Sequence, residues 1–189
     1  MPHIVVDETL PGIRALMAFR PETAAPMNAL AEILLRDDEG LSRAERELIA
    51  AFVSYRNDCF YCHTSHGEIA ACYLGDNRAL VEQVKQDFNQ APVSDKLKAL
   101  LHIAGKVQVS GKQVTADDVA KAKALGASDR DVHDTVLIAA AFCMFNRYVD
   151  GLAATAPTDM ASYPVRARQV VELGYGSHIY TPMQRVTGE

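Results

Sequence analysis

Apolar residues recur along this chain at steps of three and four, the period of one helix face, in almost every segment after about residue 22. In "SRAERELIAAFVSYRN" the face carries Ala44, Leu48, Ala51, Phe52 and Tyr55, and Ser42 with Glu45 forms a capping box at its start. Polar Asn57 and Asp58 interrupt it. A second helix is expected from near Cys59 to Leu74, with Gly75 placed for a left-handed stop. Asp76 is expected to cap "NRALVEQVKQDFN", and Ser94 to cap "DKLKALLHIAGKVQV", whose stripe is Leu97, Leu100, Leu101, Ala104 and Val107. Thr115 with Asp118 opens a short helix that Gly126 closes, and Ser128 caps "DRDVHDTVLIAAAFCMFNRYVDGLA". That last segment is apolar nearly all round from Val136 to Phe145, which predicts a buried central helix.

No run of β-branched residues alternates as a strand would, so the fold class is all-α, a helical bundle. One further helix is expected near Val165 to Leu173, after Pro157. A single domain spanning 1–189 follows, with a core over about 22–154 and a C-terminal arm over 155–189 that packs on the body or on a partner subunit.

Composition adds exclusions. The chain is 49% hydrophobic and 23% charged, enough apolar material for a sizeable interior. Its net charge of -5 and lack of any basic run argue against a nucleic-acid or anionic membrane partner. Asp7 and Glu8 stand where an export peptide would be basic and then apolar, and no stretch approaches the roughly 20 apolar residues of a membrane span. A cytoplasmic location is therefore expected, and there a close cysteine pair means redox chemistry or metal before it means a structural disulfide.

That pair lies in "NDCFYCHTSHGE", where Cys59-x-x-Cys62-His63-x-x-His66 sets four reactive side chains along one helical stripe. At the first turns of a helix the backbone dipole favours a thiolate, so a thiol here should ionise below its usual pKa of about 8.5. By this local argument the earlier residue, Cys59, is the more acidic. A thiolate attacks peroxides or disulfides, and the second sulfur, one turn away, can close a disulfide before over-oxidation. A Cys2His2 metal cage is less suitable, because one straight helix cannot surround a tetrahedral ion. Cys59-x-x-Cys62-His63 also satisfies the c-type haem attachment pattern, although that pattern generally accompanies export. The redox reading requires no cofactor and no metal.

With these residues in view, the chain resembles the alkylhydroperoxidase D-like group of the carboxymuconolactone decarboxylase family, in its peroxidase-related branch. The pattern is a glutamate, eleven intervening residues, then Cys-x-x-Cys-x-x-x-His, met here by Glu47, Cys59, Cys62 and His66. The resemblance implies an all-helical bundle whose subunits form homo-oligomers. It implies a hydroperoxide substrate, Cys62 as the peroxidatic thiol, Cys59 as the resolving one, and proton relay by Glu47 and His66. An external dithiol, such as a lipoyl-bearing or thioredoxin-like protein, would reset the pair. Tyr61 and His63 are supporting candidates: Tyr61 to hydrogen-bond a peroxide or to pack between helices, His63 to assist Cys59 or to sit solvated. Cys72 and Cys143 are expected to be small buried hydrophobes. His102 and His133 are left unassigned, such lone histidines being packing residues more often than ligands, while Asn146 and Arg147 resemble a family segment or tie helix ends together. A muconolactone-type decarboxylase using carboxylate and histidine is the first rival function, but it has no need of the cysteine pair. A haem- or metal-binding protein without turnover is the second.

Overall fold

The computed structural model describes residues 1–177, and all regular structure there is helical. The helices are α1 (Ile13–Phe19), α2 (Pro21–Arg36), α3 (Arg43–Arg56), α4 (Phe60–Tyr73), α5 (Arg78–Asp87), α6 (Asp95–Val109), α7 (Ala116–Ala124), α8 (Asp129–Gly151) and α9 (Ser162–Leu173). Short 3-10 turns cover Gly111–Gln113 and Tyr175–Ser177.

Side-chain caps set most of the starts. Ser42, Thr115 and Ser128 each form a full capping box with the acid three residues on, and Ser94 accepts from the Leu97 amide. Asn77, rather than Asp76, caps α5, because Asp76 is already in the left-handed region at φ 64° and its neighbour's amide oxygen takes the Leu80 N–H.

α3 is the axis of the fold. Nine of its residues, Arg46 to Ser54, are buried, and it is packed by α4, α8, α6, α5 and α2. The core gathers Leu48, Ile49 and Phe52 with Leu100, Leu101 and Ile103 of α6 and Ile138 and Phe142 of α8. The expectation that α8 is buried on all sides holds for only part of its girth. Leu137 and Met144 are exposed, and Asn146 is buried instead.

Residues 57–59 link α3 to α4 so briefly that α4 must fold back along α3. Asp58 turns the chain at φ 57°, and the Cys59 amide donates to the Ser54 carbonyl at 3.1 Å. Asn57 is held from two sides, donating to Asn146 at 2.8 Å and accepting from Gln108 at 2.8 Å. Asn146 in turn donates to the Ser54 hydroxyl at 3.0 Å, so its role here is to tie α8 to this link.

The terminal segments cover the hairpin. α1 rests on α8 through Ala15, Leu16, Tyr148 and Leu152. α9 lies across α4, with Ala167 and Val170 against Ile69. Arg36 of α2 donates to the carbonyls of Val170 at 2.6 Å and Val171 at 2.9 Å and so ties α2 to the last turn of α9.

Candidate active site

Of the sequence-selected residues, Glu47, Cys59, Cys62 and His66 come together in the α3–α4 hairpin. Cys59 is the N-cap of α4, fully buried, and makes no capping hydrogen bond with its side chain. One turn on, Cys62 is 3% exposed, and the two sulfurs share a small cluster with Val149. All four cysteines of the chain are free thiols.

Glu47 is fully buried, not the exposed helix carboxylate that its charged neighbours suggest. A buried charge must be paired. Its Oε2 lies 2.8 Å from His66 Nδ1, and its Oε1 accepts from the Tyr175 hydroxyl at 2.5 Å. Because a carboxylate only accepts, the neutral imidazole carries its proton on Nδ1, which leaves Nε2 as the basic nitrogen. Phe142 meets the His66 ring edge-on at 4.5 Å, and Tyr175 stacks on it at 6.0 Å. Burial, followed by the charge of Glu47, holds the Tyr175 phenol well above its usual pKa, so it stays a donor.

Cys62 and His66 both line an inner cavity of about 90 Å³, walled by Ile69, Phe142 and Tyr163 and by Tyr61 at one side. Cys59 is not among the residues lining it. The hydrogen bond to Cys62, then burial, pushes the Cys59 thiol far up. Cys59 is therefore not the low-pKa thiol that the helix dipole alone suggests: pairing with the neighbouring sulfur and loss of water outweigh the dipole. Asp150 at the end of α8 also hydrogen-bonds the Cys59 thiol.

The two supporting candidates part company. Tyr61 stays at the site: its ring fills the space where a side chain at Gly12 would stand, since a Cβ there would come within 2.4 Å of it. Gly12, at φ 53°, is thus required for α1 to close on Tyr61. Burial raises the Tyr61 phenol pKa, so it is a neutral group on the cavity wall. His63 faces elsewhere, edge-on to Tyr55 and Phe60 at 5.5 Å each and 3.4 Å from Lys85 Nζ. Burial and the Lys85 charge push its pKa down. The stripe of four donors therefore splits: His66 turns to Glu47 and His63 to Lys85. Among the described residues no three His, Cys, Asp or Glu side chains converge as a metal site.

The other cysteines and histidines lie away from the cavity. Cys143 is buried, accepting from Asn57, whereas Cys72 is only half-buried. The His102 and His133 side chains are 55% and 69% exposed, each beside an aspartate, and are surface residues rather than packing ones. His178 lies outside the described residues.

Residues 21–75, which hold α2, α3, α4 and the Glu47–Cys–Cys–His66 pattern, match the sequence model of the carboxymuconolactone decarboxylase family. Over that region the chain is similar to that family. Its fold is that of the alkylhydroperoxidase D-like proteins. A peroxidase-related protein from Ralstonia eutropha, described as an alkylhydroperoxidase core, superposes with a TM-score of 0.75 at 26% identity, over 84% of this chain and 82% of its own. An uncharacterized peroxidase-related protein from Silicibacter gives 0.73 at 27% identity, over 82% and 78%. A protein of unknown function from Agrobacterium tumefaciens shares the fold at 0.67 and 19% identity, over 84% of this chain and all of its own. No curated protein sequence matches the chain.

Sequence reasoning did not reach Tyr175, Arg14 or Arg166, all of which line the inner cavity. For Tyr175 a signal exists: "GYG" sets one aromatic between two glycines. Gly174, at φ 80°, passes so close to Glu32 that a Cβ would meet its Oε2 at 2.6 Å. The Tyr175 amide donates to the same Glu32 oxygen at 2.7 Å, which fixes where the phenol arrives.

Proposed function

We propose that this chain is a thiol-dependent hydroperoxide reductase. The observation that carries the reading is the division of the two sulfurs: Cys62 opens on the cavity beside His66, while Cys59 stands behind it, buried, protonated and hydrogen-bonded to it. The Cys62 proton passes to His66 Nε2, and the thiolate attacks the terminal peroxide oxygen. The O–O bond breaks, Cys62 becomes a sulfenic acid, and His66 returns the proton to the departing alkoxide as alcohol. Glu47 holds the imidazole in the required tautomer and stabilises its charged form. Cys59 then attacks the sulfenic sulfur, releasing water and closing the Cys59–Cys62 disulfide. The sum is one hydroperoxide and two thiols giving one alcohol, one water and one disulfide. An external dithiol, of the lipoyl or thioredoxin-like kind, reduces the bridge by exchange and leaves with the oxidised pair. The dithiol reductant and a homo-oligomeric state belong to this proposal.

The test is rapid mixing of reduced protein with hydrogen peroxide and with an alkyl hydroperoxide, followed by mass analysis. Loss of two hydrogens confined to the peptide holding Cys59 and Cys62 is expected, and Cys62→Ser should abolish it. If peroxide is consumed equally by Cys62→Ser, or not at all by the parent protein, the reading is wrong.

A further inference from the structure

The inner cavity does not end at the wall around Cys62. A larger, more open cavity of about 480 Å³ adjoins it, and the two share Arg14, Tyr61, Ser65, Tyr163 and Arg166. The shared residues form the neck between them, and two of the five are arginines. Glu8 and Asp159 line the outer cavity, but among the described residues no acid lines the inner one. The neck is thus the basic part of the path to Cys62.

Arg14 is the more informative of the two. Its Nε is shut off from solvent and has no hydrogen-bond partner. An unsatisfied buried donor is destabilising, so the fold holds Arg14 at the neck against a cost. Arg166 donates to Gln169 Oε1 at 3.5 Å. The charges of both arginines reach the Tyr61 hydroxyl, where each favours a negative neighbour. The inner cavity, at about 90 Å³, is much the smaller of the two. With the peroxide group there, the rest of an organic substrate lies in the neck and the outer cavity.

We propose that Arg14 is a carboxylate-binding residue and that the preferred substrates are organic hydroperoxides bearing a carboxylate a few bonds from the peroxide. The peroxide enters toward Cys62, and the carboxylate stops at the neck, paired with the Arg14 guanidinium that lines both cavities. Arg166 adds the second positive charge. This rests on the peroxidase reading for its chemistry, but the binding site stands on its own geometry.

The experiment has two arms. In the first, kcat/KM is measured for 4-hydroperoxy-4-methylpentanoate and for its methyl ester. The parent protein should favour the acid by about ten- to a hundredfold, the range of one charge-assisted hydrogen bond, and Arg14→Met should bring the ratio close to one. Arg14→Lys should fall between them, because it keeps the charge and loses the planar donor. Equal rates for acid and ester in the parent protein, or an unchanged ratio in Arg14→Met, would overturn the proposal while leaving peroxide reduction intact. The second arm needs no turnover: binding of 4-methylpentanoate and of its amide is followed by protein NMR. The acid should bind more tightly, with the difference lost in Arg14→Met. Equal binding of acid and amide overturns the site even if the peroxidase reading itself has failed.

Discussion

Arg46 and Glu47 are neighbours in α3, both fully buried and both charged, yet they belong to different kinds of interior. Arg46 points into a sealed knot. Its guanidinium donates to the carbonyls of Leu41, Leu34 and Glu39 at 2.9, 2.9 and 2.7 Å and to Asp134 at 2.9 Å, and α2, the α2–α3 connection and α8 meet on it. Glu47 points to the opposite side, toward an imidazole that lines a cavity and a phenol from the far end of the chain. Burial of a charge does not by itself mark function. What separates the two is whether the partner can exchange a proton beside the reactive sulfur. Arg46 and Asp134 exchange none there, whereas His66 lines the cavity with Cys62.

The comparison can be broken by substitution, because the sealed network should cost stability and the open one turnover. The largest effect is expected for Cys62→Ser, which should remove peroxide consumption and leave the thermal midpoint close to that of the parent. Glu47→Gln should lower kcat by about a hundredfold to ten-thousandfold, the range for losing a general acid–base group. Arg46→Met should cost about 3–5 kcal/mol in chemical denaturation, since Asp134 and three backbone carbonyls lose the donor they share, while kcat per folded molecule stays the same. If Arg46→Met instead lowers kcat in folded protein, the two networks are not separate. Tyr175→Phe should sit between the classes, lowering kcat by roughly tenfold and shifting the pH profile of His66, because a phenol hydrogen bond to a charged group is worth about 1.5–3 kcal/mol. The smallest effect concerns pH. Unfolded Cys59 ionises near pH 8.5, whereas in the folded chain it stays protonated well above that. The stability this confers is fully present below about pH 8.5 and declines as pH rises further, so Cys59→Ser should flatten the alkaline limb of a denaturation series. Iodoacetamide at pH 8 should accordingly label Cys62 in native protein and reach Cys59 only after unfolding.

The helices were readable because capping chemistry is local: Ser42, Ser94, Thr115 and Ser128 act within three residues of themselves. The pairing of Glu47 with the cysteine helix was legible only through the family resemblance, and the structure supplies its reason: a three-residue link folds α4 back along α3. The relative acidity of the thiols was not legible. It depends on how deeply Val149 and its neighbours bury Cys59, which no property of residues 57–68 encodes. The split between His66 and His63 was equally hidden, because Lys85 and Glu47 approach α4 from different helices. Tyr175 and Arg14 lie 128 and 33 positions from Glu47, in segments whose own composition is unremarkable, and only the closed bundle brings them to one cavity.

The Arg36 clamp on the last carbonyls of α9 gives the tail a task beyond covering Ile69. A chain cut after α8 would keep its capping boxes, its two cysteines and its histidine, and would still fold by every local criterion. It would nevertheless lose the phenol above Glu47 and one arginine of the neck, and water would stand where a dry ceiling had been. Trimming to residues 21–75 would go further, because it removes α6 and α8, the helices that close the core against α3.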